Sequence, residues 1–170
     1  LAEVITDALP RIRCCSPQAH QLVKGCRRTV HIGAFVNRFP ARLLGRHVRR
    51  CSTNHSSAIV VSVDYRLAPE HRYPAAVDDA EAAALWAQEH GAAMGGDPTR
   101  LAVAGDSAGG NLAAAVALRA RDQAFPQLAG QVLIYPVTDL TQSQPSYESF
   151  AEGYLLTRDS MTWFIQQYLP

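Results

Sequence analysis

Residues Gly105-Asp106-Ser107-Ala108-Gly109-Gly110 follow the apolar run Leu101-Ala102-Val103-Ala104 and precede a long alanine-rich stretch that opens at Asn111. That order predicts a strand, a sharp turn and a helix. Glycines two positions before and two positions after Ser107 let the backbone turn without side-chain clashes, so the hydroxyl stands clear at the strand's end. The helix start behind it favours developing negative charge. Ser107 is therefore the candidate nucleophile.

The flanking segments set the fold class. Ala58 to Val63 is a continuous β-branched run, the pattern of a parallel strand buried on both faces. Asp64 to His71 reads as a turn-rich connection. Pro74 to His90 reads as a helix with Val77, Ala80, Ala84, Leu85 and Trp86 toward the core and Gly91 at its C-terminal end. Gly95-Gly96-Asp97-Pro98 predicts a loop, Arg100 to Ala104 the strand into the turn, and Asn111 to Arg121 the helix after it. Gly130 to Tyr135 predicts a further buried strand, ended by Pro136. Strands alternating with helices at these lengths point to an α/β fold with a largely parallel sheet. Ser146 to Leu169 is dense in aromatic residues and reads as part of something larger.

The first third is different. Residues 1–57 hold ten of the sixteen Lys and Arg but only two acids, Glu3 and Asp7, while residues 58–170 hold six bases against thirteen acids. Two segments follow: a divergent basic one over 1–57 and a core over 58–170. Leu1 to Leu9 reads as a helical remnant, and Leu43, Leu44, His47, Val48 and Cys51 fall at helical intervals. Two explanations of the composition shift stay open, a disturbed reading frame upstream of Ala58 and ordinary divergence of a surface segment.

At 170 residues and 48% hydrophobic content the chain can build one domain with a real core, small for a doubly wound sheet. A net charge of +1 argues against a nucleic-acid partner. Cys14, Cys15, Cys26 and Cys51 lack the paired spacing of zinc modules, so no metal is expected, and reduced thiols are the default. No apolar run reaches membrane-spanning length and no signal peptide is visible, which predicts a cytoplasmic protein without an integral membrane segment.

Four ordered blocks carry a resemblance: Val61-Ser-Val-Asp-Tyr-Arg-Leu-Ala-Pro-Glu-His71, Tyr73-Pro-Ala-Ala-Val-Asp-Asp79, Gly105-Asp-Ser-Ala-Gly-Gly110 and Leu133-Ile-Tyr-Pro-Val137. Together they resemble the hormone-sensitive lipase family of α/β-hydrolases, which includes many bacterial carboxylesterases. The resemblance spans residues 58–170 and is weak over 1–57. It implies a partial α/β-hydrolase fold, a mostly parallel sheet flanked by helices with the start of a helical cap.

The resemblance also implies an oxyanion loop of the His-Gly-Gly-Gly type. Its nearest match is His31-Ile32-Gly33-Ala34-Phe35-Val36, 76 residues before Ser107, with Ile32 standing where the pattern has glycine. By this match the N–H groups of Gly33 and Ala34 would join that of Ala108 around the oxyanion. The implied reaction is hydrolysis of short or medium acyl esters through an acyl-enzyme on Ser107, without metal or organic cofactor. The family's acid and histidine follow later strands, so both are expected beyond Pro170 and the chain is expected to be C-terminally truncated.

Surrogates within the chain are His71, His90 and Asp139. His71 is expected to order the Leu-Ala-Pro-Glu-His turn and His90 to cap a helix. Asp106 is expected to support the turn, and Asp64, Arg66 and Glu70 to form a structural cluster. Two alternatives remain: an impaired esterase, or a non-catalytic remnant or interaction module that self-associates through an exposed sheet edge.

Overall fold

The computed structural model describes residues 11–14, 28–34, 58–124 and 126–170. Their strands are β1 (Arg11–Cys14), β2 (Arg28–Ala34), β3 (Ile59–Asp64), β4 (Gly96–Asp106) and β5 (Gly130–Ile134). Their helices are α1 (Ala75–His90), α2 (Ala108–Gln123), α3 (Ser146–Ser149) and α4 (Arg158–Tyr168). The helices expected over Leu1 to Leu9 and Leu43 to Cys51 lie outside the described residues.

The strands form one sheet in the order β1-β3-β2-β4-β5. β2 runs parallel to β3 and β4, and β4 runs parallel to β5, while β1 joins β3 antiparallel. This is the mostly parallel α/β sheet that the alternation of elements predicts. Residues 59–63 of β3 are all buried, as a run without polar alternation requires of a strand covered on both faces.

α1 and α2 supply cover for the sheet. Ala76, Val77, Ala80, Ala83, Ala84 and Ala87 join Ile59, Val61, Val63, Leu101, Val103 and Val116 in the core. The deeply buried face of α1 is mostly alanine, whose small side chains allow close approach. Leu85 and Trp86, expected in the core, are only half-buried. Arg119 ties the two helices by pairing with Asp78 at 2.8 Å and Glu81 at 2.5 Å.

The structure corrects several expectations. β1 falls in a segment that gave no element, and β2 takes in His31 to Ala34, which the motif match reads as loop. Val30, Ile32 and Ala34 alternate with period two, a strand signal masked by the lack of an apolar run before them. β4 begins at Gly96, inside the expected loop, yet its register against β2 breaks between Thr29 and His31. Asp97 folds a local turn there by accepting bonds from the Thr99 N–H and hydroxyl at 3.0 and 2.6 Å.

Gly91 ends α1 in right-handed conformation, and the left-handed position belongs to Gly95, with φ of 80°. β5, expected to be buried, sits at the end of the sheet order with Val132 52% exposed.

Candidate active site

Ser107 lies between β4 and α2 with φ of 53° and ψ of −119°. A side chain disfavours that region, so neighbours must hold the backbone there. Three hydrogen bonds do so. The Ser107 N–H donates to the Ile134 carbonyl at 3.0 Å, and the Ser107 carbonyl accepts from the N–H groups of Asn111 at 3.1 Å and Val137 at 3.2 Å. The Asn111 amide then donates to the Val137 carbonyl at 2.7 Å, locking the chain after β5 against α2.

The glycines act by close approach. A Cβ on Gly105 would fall onto the Gly109 carbonyl group and 2.7 Å from the Gly110 nitrogen, and one on Gly110 would meet Pro136 Cβ at 2.9 Å. Strand, helix and the segment after β5 can therefore meet only where these side chains are missing. Ser107 is half-buried and Ala108 is exposed at the helix start. Ala34 pairs with Gly105, and Gly33 with Ala104 and Ser62, so the end of β2 lies beside the strand that delivers the serine.

The histidines and acids divide differently. Among the described residues, none forms a hydrogen bond with the Ser107 hydroxyl. His71 is held through its backbone, its N–H donating to the Leu67 carbonyl at 2.9 Å, as expected for a turn. His90 Nδ1 lies 3.0 Å from the Trp86 carbonyl, and its ring stacks on Trp86 at the end of α1.

Asp139 is engaged locally. Its carboxylate accepts from the N–H and hydroxyl groups of Thr141 and Ser143 at 2.5 to 2.9 Å, and those bonds hold it down at about 2. An aspartate saturated this way has little capacity left to orient a histidine.

The expected cluster of Asp64, Arg66 and Glu70 is corrected. Arg66 pairs instead with Asp79 of α1, donating from its guanidinium at 2.8 to 3.1 Å and from its backbone N–H at 2.9 Å. Burial works to raise the Asp79 carboxyl, but the Arg66 hydrogen bonds and charge together hold it below its ordinary value.

Two side chains at the ends of β3 and β4 carry a buried oxygen: Tyr65, which escaped the sequence, and Asp106, which the sequence assigns to supporting the turn. Tyr65 follows β3 and is 7% exposed, and Asp106 precedes Ser107. The Tyr65 hydroxyl and Asp106 Oδ1 are both buried without a hydrogen-bond partner. Burial raises the Asp106 carboxyl. Burial, the Asp106 charge and Tyr168 raise the Tyr65 phenol well above its ordinary value. The period-two series Ile59, Val61, Val63, Tyr65 was the available signal that this phenol points inward.

A strained serine between a parallel strand and a helix, on a sheet of this order, defines a hydrolase scaffold of the α/β class. The chain belongs to the hormone-sensitive lipase-like family of α/β-hydrolases, its residues 29–170 matching the family model described as the alpha/beta hydrolase fold.

Carboxylesterase NlhH of Mycobacterium tuberculosis is 51% identical over 123 residues, covering 72% of this chain and 39% of that protein. Ethyl acetate hydrolase of Pseudomonas putida is 48% identical over 112 residues, covering 64% of this chain and 35% of the relative. The chain thus spans less than half the length of these curated relatives.

Two solved structures share the fold. A thermostable esterase from Pseudomonas putida has a TM-score of 0.77 at 40% identity, covering 87% of this chain and 47% of that one. A hyperthermophilic esterase from the archaeon Pyrobaculum calidifontis has a TM-score of 0.76 at 44% identity, covering 86% and 48%. Among the described residues no helix is long and apolar enough to cross a membrane, and no group of three or more His, Cys, Asp or Glu could hold a metal.

Proposed function

We propose that this chain carries the nucleophile portion of a carboxylic ester hydrolase acting on short or medium acyl esters. The observation that carries the reading is the backbone of Ser107, held in a disfavoured conformation by three hydrogen bonds and two close glycine contacts. That arrangement presents a hydroxyl at the sheet's carboxyl end and at a helix start.

Ser107 Oγ attacks the ester carbonyl while a base takes its proton. The tetrahedral oxyanion is held by the N–H of Ala108 at the start of α2, with Gly33 and Ala34 at the end of β2 alongside. The alcohol leaves with a proton, and water hydrolyses the acyl-serine. Among the described residues none of His71, His90 and Asp139 is hydrogen-bonded so as to serve as base or acid, which supports the reading that turnover by this chain is impaired.

In the same reading, residues 58–170 form the core fragment, with α3 and α4 as the start of a cap. Residues 1–57 form a divergent basic segment that contributes β1 and β2 to the sheet. The exposed side of β5 favours a second reading, a non-catalytic module of esterase ancestry that self-associates through that edge.

Hydrolysis of p-nitrophenyl butyrate by the purified chain, with Ser107→Ala as control and a melting curve for folding, separates the two. Turnover lost in the variant supports the esterase. A folded chain whose Ser107 neither turns over substrate nor reacts with an activated phosphonate supports the module.

A further inference from the structure

Tyr65 and Asp106 stand at the carboxyl ends of β3 and β4, the two strands that flank β2. The register places Gly33 opposite Ser62 on one side, and Ala34 opposite Gly105 on the other. The two residues therefore bracket the end of β2, one residue from Ser107 on the β4 side. Tyr65 packs in the core with Val61, Val63 and Leu112, which fixes its ring and directs the phenol. Its hydroxyl and Asp106 Oδ1 are two of three buried side-chain polar atoms without a hydrogen-bond partner among the described residues. Natural proteins rarely leave such atoms orphaned unless the place has a use.

We propose that Tyr65 and Asp106 form a buried polar pair that holds the end of β2 against the serine turn, making both positioning residues for the reaction of Ser107. The phenol is a donor and the carboxyl an acceptor, and neither bonds the other directly, so a single bridging water would satisfy both. Tyr168 of α4 packs against the same core cluster as Tyr65: its carbonyl accepts from the Tyr73 N–H at 2.8 Å and its ring packs on Tyr73. The pair thus lies at the carboxyl ends of the strands that flank β2, next to the serine turn. This proposal rests on Ser107 being the nucleophile, and its test separates the two.

The experiment measures phosphonate labelling of Ser107 in the full chain, resolved into saturating rate and half-saturating concentration, for Tyr65→Phe, Asp106→Asn and the double variant. Melting curves are recorded for all four proteins. Both substitutions are near-isosteric and spare the fold. The expected result is a saturating rate about tenfold lower in each single variant, with the double variant no slower than either, and half-saturation unchanged.

Labelling of the folded fraction at the wild-type rate in both singles overturns the proposal, whatever the melts show. A wild-type chain that never labels sinks the nucleophile reading instead. The melting cycle then decides the pair alone: coupled losses uphold it as a structural contact, and additive losses overturn it.

Discussion

The φ of 53° and ψ of −119° at Ser107 cost a residue bearing a Cβ about 1–3 kcal/mol. Glycine escapes most of that cost but adds chain entropy to the unfolded state. Ser107→Gly is therefore expected to melt higher than Ser107→Ala by about 1 kcal/mol, although both lose the nucleophile. Equal melting of the two in differential scanning calorimetry would show the turn to be unstrained.

Gly105→Ala moves the other way. Its Cβ would strike the backbone of Gly109 and Gly110, atoms that cannot swing aside as a side-chain end can. A loss of about 3 kcal/mol or more is expected in chemical denaturation. The serine was legible because glycines at fixed offsets announce such close contacts. The inward direction of Tyr65 was readable from the period-two series and Asp106 from its place in the turn, but that both oxygens are buried without a partner belongs to the assembled sheet and leaves no mark in local sequence.

At the scale of elements, the Arg66 and Asp79 pair fixes the connection from β3 into α1, and its two ends differ. The Asp79 side chain is 8% exposed and that of Arg66 is 49% exposed. Removing the guanidinium leaves a buried carboxylate with one backbone donor, whereas removing the carboxylate returns a half-exposed guanidinium to water. Arg66→Ala is expected to cost about 2–3 kcal/mol and Asp79→Asn about 1 kcal/mol, read from urea midpoints. Comparable losses would mean that the carboxylate is not effectively desolvated.

The pair also sets a pH dependence. Asp79 has a folded value below its ordinary one, so its contribution is present above the ordinary aspartate range and is lost as pH falls through the lowered value. In Arg66→Ala the acid limb of stability should flatten. The sequence showed α1, α2 and β3 through long periodic or continuous apolar runs. It hid β1, where Arg11 and Arg13 interrupt the pattern, and β2, where Arg28 and His31 do, and it paired Arg66 with near neighbours because a partner thirteen residues away is invisible without the fold.

On the whole-molecule scale, the class of the sheet was readable and its strand order was not, since order depends on crossovers whose direction no local pattern encodes. The misreading of β5 follows from this. Its apolar residues suggest a buried strand, yet β5 ends the described order β1-β3-β2-β4-β5, with residues 130–132 exposed. Phe150, Tyr154, Leu155, Trp163 and Phe164 add exposed apolar area over the C-terminal segment.

A strand at the end of a sheet presents unpaired backbone groups to any other strand, and apolar neighbours strengthen the match. Self-association through β5 is the expected consequence. In sedimentation velocity the weight-average coefficient should rise with protein concentration, and Val132→Lys should weaken association about tenfold by placing a charge on the mating edge. Because Val132 is 52% exposed, the substitution should leave the monomer's melting point nearly unchanged, which separates an edge effect from unfolding. A single monomeric boundary at every concentration, or association that Val132→Lys leaves untouched, would place the contact elsewhere than this strand.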